Sequence, residues 1–137
     1  MNEVSNGFFI LVWSPSVVCM SKSITLDKAI KFALRVVRLA KYLNEEKKEF
    51  VLSRQLLISG TFIAKHVKAA TVAADRQGFS SEMFLAMQRA SDTELWLLLL
   101  FEGGFLEENE YRSINENCIE LIKLTASIAK TTRNEAP

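Results

Sequence analysis

The sequence has few of the residues that build disulfide frameworks, tight turns or metal sites. It contains two cysteines, two prolines, five glycines and one histidine among 137 residues. So few cysteines exclude a disulfide-stapled fold and suit a reducing cytoplasm, and so few turn formers disfavour a sandwich of short strands. The sequence also lacks an excess of either charge, because 17 basic and 16 acidic side chains give a net charge of +1. The molecule as a whole is therefore not basic enough to bind nucleic acid or membranes by net charge alone.

The apolar run FFILVW near the N-terminus is too short to span a bilayer and is soon followed by Pro15. No Lys or Arg side chain precedes it, so it makes a poor signal peptide. Residues 1–23 are interpreted as an N-terminal arm. The arm is either a disordered extension ahead of a working start at Met20, or an ordered segment packed on a neighbour. A membrane or export role is the weakest alternative, and we expect a cytoplasmic protein with no membrane partner.

Residues 24–133 show the three- and four-residue apolar spacing of α-helices. We expect Thr25 to cap the first helix and Ser80 or Ser81 to cap the third. The predicted helices run from about Leu26 to Leu43, Phe50 to Ala74, Ser80 to Glu102 and Glu108 to Thr131. Helices of this length with short links predict an all-α, antiparallel up-down four-helix bundle. The bundle forms one domain, and residues 134–137 are a frayed tail.

The first predicted helix has an apolar face and a basic face. The apolar face is predicted to hold Leu26, Ile30, Ala33, Val37 and Ala40, with Leu34 beside them. The basic face consists of Lys28, Lys31, Arg35, Arg38 and Lys41, with no acidic residue between the first and the last. Such a row could neutralise several backbone phosphates of RNA or DNA. A solvated helix face and an acidic protein partner are the alternatives. No aromatic side chain lies among these cations for base stacking, so nucleic-acid contact would be sequence-tolerant.

Two features of the next helices predict close packing. Ser59 and Gly60 interrupt the apolar stripe of the second helix, and this indicates close approach of another helix at that point. The third helix is apolar on every side from Leu95 to Phe101. A monomeric bundle can bury only part of that circumference, so the run predicts an interface between copies of the chain. The candidate interface residues are Leu95, Trp96, Leu99 and Leu100.

No pattern in the sequence points to catalysis. His66 has no second histidine and no carboxylate on its own face, so we expect it to form an interhelical or surface hydrogen bond. The apolar seam of the fourth helix is predicted to hold Tyr111, Ile114, Cys118, Leu121, Thr125 and Ile128. Cys118 on this seam is interpreted as a small hydrophobe. Phosphate-binding and nucleophile-elbow motifs are lacking. The sequence thus predicts no enzyme, no metal, no cofactor and no catalytic residue.

Two segments resemble a known bacterial family. Residues 52–70 read LSRQLLISGTFIAKHVKAA, similar to the LSxQLLRSGTSIGANIxEA signature of the "four helix bundle protein" family. Residues 83–99 read MFLAMQRASDTELWLLL, similar to its FxxKMxIALKEAxETxYWLxLL segment. That family includes proteins encoded in intervening sequences of 23S ribosomal RNA genes and is related to the accessory protein of diversity-generating retroelements. The resemblance extends from Leu26 to about Arg133.

The chain departs from the family pattern at Phe62, Lys65, His66 and Leu95, which indicates a diverged member with a repacked core. The resemblance implies a ring-like homopentamer and implies little about the biochemical role. Its implications and the residue patterns together predict a non-catalytic, homo-oligomeric scaffold or adaptor. A further hypothesis is that this scaffold contacts nucleic acid through the basic face of the first helix. The alternative is a structural or protein-interaction module with no nucleic-acid role.

Overall fold

A computed structural model describes residues 15–134, with side chains described from residue 24 onwards. It contains four helices, α1 (Pro15–Glu46), α2 (Leu52–Thr71), α3 (Arg76–Glu102) and α4 (Glu108–Asn134). Each helix packs against its two neighbours around the bundle, and the α1–α4 edge has much the least contact. The part of the chain described here contains no strand. The prediction of an all-α four-helix bundle is confirmed.

Helix bounds differ from the predicted ones mainly at the starts. The α1 backbone is helical from Pro15, so it extends well into the segment interpreted as an arm. Residues 1–14 and 135–137, which include the rest of the arm and the end of the tail, lie outside the described residues. The α2 helix is shorter than predicted and ends at Thr71.

The core runs along the bundle axis and takes residues from all four helices. Leu56, Ile63 and Val67 of α2 are fully buried, as are Leu97 and Leu100 of α3. The predicted seam of α4 is largely confirmed by its buried residues: Ile114, Cys118, Leu121 and Thr125, with Tyr111 and Ile128 half-buried.

The predicted apolar face of α1 is wrong in its orientation. Its buried residues are Ala29, Phe32, Val36, Ala40 and Leu43, whereas Ile30, Leu34 and Val37 are 44–47% exposed. The helix carries two apolar stripes about a quarter-turn or more apart. Packing against α2 and α4 buries the stripe that contains the phenylalanine and leaves the other one outside.

Polar side chains fix where α2 and α3 begin. The Glu49 carboxylate accepts hydrogen bonds from the backbone N–H of Leu52 (2.8 Å) and Ser53 (2.7 Å), at the N-terminus of α2. Asp75 is the N-cap of α3, and its carboxylate accepts from Gly78 N–H at 2.7 Å. The predicted cap at Ser80 or Ser81 is therefore wrong. Ser80 is buried and its hydroxyl donates instead to the carbonyl oxygen of Ala129 on α4.

Candidate interaction surfaces

Two of the five basic residues predicted to form a row on α1 are held by α4. The Lys28 ammonium lies 2.9 Å from a carboxylate oxygen of Glu120. The Arg35 guanidinium donates to the side chains of Asn117 and Ser113. These contacts close the sparsely packed α1–α4 edge with polar groups. The sequence could not reveal them, because the partners lie 78–92 residues away.

The other three cations of the row remain on the surface. Lys31, Arg38 and Lys41 are exposed, and no ion pair or side-chain hydrogen bond joins them to another described residue. Arg38 also borders an open cleft of ≈ 430 Å³ between α1 and α4, whose apolar lining includes Leu39, Leu106 and Ile114. The basic face of α1 is thus reduced to three free cations along one helix.

The outer face of α3 carries several large apolar side chains that are exposed. Leu95 is 49% exposed, and Leu98 and Leu99 are each 40% exposed. Phe84 lies on the same side of the helix, nearer its N-terminus, and is 44% exposed. A helix face that is exposed to water normally carries polar residues. Single exposed apolar residues are ordinary, whereas a contiguous group of this kind is typical of an interaction surface.

The predicted interface residues do not all lie on this surface. Leu95 and Leu99 do, Trp96 is half-buried against the core, and Leu100 is fully buried within it. Leu98 and Phe84 belong to the surface and were not among the predicted interface residues. Their spacing from Leu95, three residues after it and eleven before it, was the signal that could have identified them.

His66 of α2 forms a hydrogen bond to α3, which is one of the two roles expected for it from the sequence. Its Nδ1 lies 2.8 Å from a carboxylate oxygen of Glu82. The Phe62 ring packs edge-on against the imidazole, with 6.1 Å between ring centroids. The Lys65 ammonium and the Arg89 guanidinium lie 4.8 and 5.0 Å from the centroid of Phe62. Each polar member of this cluster has a neighbour, so the cluster ties two helices together.

Cys118 has the properties of a packed thiol. It is fully buried, and its Sγ donates to the carbonyl oxygen of Ala90 at 3.2 Å. Burial, with a smaller contribution from the nearby negative charge of Glu94, raises the pKa of Cys118 to about 12. His66, the one histidine, is engaged elsewhere by Glu82. Within residues 24–134, no group of three or more His, Cys, Asp or Glu side chains is placed to hold a metal ion.

A model of a known protein family covers most of the bundle, including the residues of both candidate surfaces. The family model of the 23S rRNA-intervening sequence protein matches residues 21–127. The chain belongs to the 23S rRNA-intervening sequence protein family. The match includes nearly all of the bundle, from the N-terminal part of α1 to most of α4, so both surfaces lie on the family's common domain.

This family member is similar to a protein of solved structure, a protein with unknown function from the S23 ribosomal protein family from Bacteroides thetaiotaomicron. The two chains share 39% sequence identity, with a TM-score of 0.78, over 80% of this chain and 98% of that chain. No curated protein matches the sequence significantly. Among the helices of the described residues, none has the length and apolar character needed to cross a membrane. The family therefore establishes the fold of this chain and assigns it no activity.

Proposed function

We propose that the protein is a non-catalytic, cytoplasmic scaffold that assembles from several copies of itself. The observation that carries this proposal is the exposure of Leu95, Leu98 and Leu99 on the outer face of α3. Burying apolar surface stabilises an assembly by about 25 cal/mol per Å² of area removed from water. Leaving these leucines in water gives up that free energy, and a second copy of the chain is the partner that is always present at matching concentration.

Support for a non-catalytic role comes from the polar groups of the bundle interior. The buried hydroxyls of Ser59, Ser80 and Thr93 are engaged in hydrogen bonds between or within helices. The thiol of Cys118 is protonated and packed. These groups stabilise the bundle, and none is paired with a base that could activate it as a nucleophile.

The test of assembly is the molecular mass in solution. At micromolar concentration, light scattering should give a multiple of the 15.5 kDa subunit mass. The double substitution Leu95→Asp with Leu99→Asp should give monomers that keep their helical circular dichroism, because both side chains are 40–49% exposed and not part of the core. A matched control is Ile58→Asp, since Ile58 is 39% exposed and lies on α2, away from the outer face of α3. A monomeric wild type would contradict the proposal.

The second part of the proposal is sequence-tolerant contact with RNA or DNA through Lys31, Arg38 and Lys41. Three free cations per subunit are few, but assembly would present the set several times on one particle and raise avidity without new contacts. Since each phosphate contact releases counterions, binding should weaken steeply with salt. The structure of α1 makes Arg35 and Lys28 poor candidates, because α4 already engages both.

A salt titration with mixed-sequence RNA and duplex DNA tests the nucleic-acid part separately. Lys31→Glu with Arg38→Glu should lower the slope of log affinity against log salt by roughly one unit per lost contact. Lys123→Glu with Lys130→Glu is the matched control, because both lysines are exposed on α4, outside the row. Equal binding by the α1 variant and the wild type would exclude this surface. The remaining function would then be a protein-interaction scaffold without nucleic acid.

A further inference from the structure

The side of α2 that faces away from the core combines cations with exposed apolar side chains. The helix contains no aspartate or glutamate, whereas Arg54, Lys65 and Lys68 are all exposed on this side. On the same side Ile58 is 39% exposed, and Val72, the C-cap of the helix, is 74% exposed. This side of α2 is therefore both positively charged and partly apolar.

The residues of this side follow one another at alternating steps of four and three. In chain order they are Arg54, Ile58, Thr61, Lys65, Lys68 and Val72. We call these six residues the α2 outer face. Residues at such steps form one line along a helix, here roughly 27 Å long at 1.5 Å per residue. Alternating steps of four and three are the pattern by which a second helix packs along the first.

The positive charge of the α2 outer face is not neutralised within the subunit. No ion pair joins any of its three cations to another described residue. The Lys65 ammonium lies instead 4.8 Å from the ring centroid of Phe62. Two carboxylates beside α2 are engaged elsewhere, because Glu49 accepts from the backbone N–H groups that begin the helix and Glu82 binds His66. A partner that supplies carboxylates therefore meets three free cations on one line.

The α2 outer face is already ordered in the free subunit. On the opposite side of the helix, Leu56, Ile63 and Val67 are fully buried in the core. The Thr61 hydroxyl donates to the carbonyl oxygen of Leu57 at 2.7 Å, so an apolar neighbour would not leave this donor unsatisfied. A partner that binds here orders little of this chain, and this preorganisation lowers the free-energy cost of association.

The chemistry of the α2 outer face selects among the classes of partner. Two copies of the face would repel each other, since each brings three cations. Single-stranded nucleic acid binds where aromatic side chains stack on bases, and none of the six residues is aromatic. A membrane surface matches the charge but takes a broad apolar face, whereas this face is a single line with two apolar side chains. A helix with carboxylates and apolar residues on one side matches the charge, the apolar positions and the spacing.

We propose that the α2 outer face binds an acidic amphipathic helix of another protein. Carboxylates of that helix face Arg54, Lys65 and Lys68, and its apolar residues pack on Ile58 and Val72. The inference extends the proposed scaffold, because it names the chemistry of a partner that is not a copy of this chain. One subunit is sufficient for the contact, so its test does not depend on assembly.

Two fluorescently labelled synthetic helical peptides are the probes, one built for a parallel and one for an antiparallel arrangement. In each, glutamates face the three cations and leucines face Ile58 and Val72. Fluorescence anisotropy should show that one of the two binds the wild-type protein and that binding weakens with salt. The matched control is the same peptide with lysine in place of each glutamate, which should not bind. Failure of both acidic peptides to bind the folded wild type would overturn the inference.

Charge reversal on α2 tests which residues hold the acidic peptide. Lys65→Glu with Lys68→Glu should weaken its binding by roughly tenfold or more, because like charges then face each other. The same variant should gain affinity for the lysine peptide, a result that unfolding would not produce. Lys123→Glu with Lys130→Glu is the matched control, since it changes the net charge equally from exposed positions on α4. Equal loss in both variants would show a general charge effect and overturn the assignment to α2.

Ile58→Asp separates this contact from self-assembly. It should weaken binding of the acidic peptide by roughly tenfold or more, because it places a carboxylate opposite a leucine in a desolvated contact. The mass of the assembly and the helical circular dichroism should stay unchanged. If Ile58→Asp dissociated the assembly, a second copy would occupy the face and the inference would be wrong. A monomeric wild type that binds the acidic peptide would contradict the proposed assembly and leave this inference standing.

Mixed-sequence RNA and phosphatidylglycerol vesicles are the competing probes for the same face. Neither should lose binding to the protein when Lys65→Glu and Lys68→Glu are introduced together. If RNA or vesicles bind the wild type and not this variant, while neither acidic peptide binds, the face belongs to that polyanion and the inference is wrong.

Discussion

Gly60 of α2 lies so close to Val36 of α1 that a Cβ atom at position 60 would be 2.8 Å from both Val36 γ-carbons. Both residues are fully or nearly fully buried. Gly60→Ala should therefore destabilise the bundle, although alanine is the better helix former by about 1 kcal/mol. Overpacking of this kind costs about 1–3 kcal/mol, and the stiff β-branched valine has little freedom to move away. Denaturant unfolding of the variant measures the loss.

A double-mutant cycle provides the control for this contact. Val36→Ala removes both γ-carbons and leaves only the Cβ of residue 36, 3.1 Å from the added Cβ, so Gly60→Ala should cost much less in that background. A coupling free energy of about 0.5–3 kcal/mol between the two positions is expected. Additive effects would show that the alanine is accommodated in some other way and that the close approach is not what requires glycine.

Glu49 should make the stability of the bundle depend on pH in the acidic range. Burial opposes the charge of its carboxylate, but hydrogen bonds from the backbone N–H of Leu52, Ser53 and Val51 outweigh burial and lower the pKa of Glu49 below its ordinary value of 4.5. A group with a lowered folded-state pKa stabilises the fold above its unfolded pKa, and this stabilisation is lost as pH falls through the folded value.

Glu49→Gln tests this expectation. At pH 7 the variant should lose about 1 kcal/mol of unfolding free energy, as for the removal of a helix cap. The difference from wild type should shrink as pH falls below about 4.5, since the wild-type carboxylate becomes neutral there. Glu45→Gln, at an exposed position near the end of α1, should change stability little. A difference that stays constant down to strongly acidic pH would contradict the role of the charge.

Cys118 should resist thiol reagents until the bundle opens. With the pKa of Cys118 at about 12 and the side chain fully buried, both ionisation and access are unfavourable at pH 8. In a Cys19→Ser variant, a thiol-specific chromogenic reagent should react slowly in buffer and with one equivalent per chain in denaturant. Rapid reaction in buffer would show that α4 separates from α3 without global unfolding.

The sequence predicted the number of helices well because each helix has strong periodicity, but α1 shows the limit of that signal. Two apolar stripes lie on this one helix, and periodicity alone cannot tell which faces inward. The spacing of three and four residues predicts the stripe with Ile30 and Val37 as the buried one. The structure buries Phe32 and Val36 instead, since close packing against Gly60 and α4 requires that side.

The candidate surfaces were predictable to different degrees. The apolar run from Leu95 to Phe101 is local in sequence, so the outer face of α3 could be located. Leu100 was also predicted to lie on this face, but it is buried in the core. The basic row on α1 was also visible. Its reduction by Glu120 and Asn117 was not, because pairing between helices distant in sequence depends on how the bundle closes.

The sparse α1–α4 edge has a consequence for how the subunit opens. Because α1 is anchored mainly through α2, it can separate from the bundle while the α2–α3–α4 layer stays packed, so its amide protons should exchange at a lower free energy than those of α3.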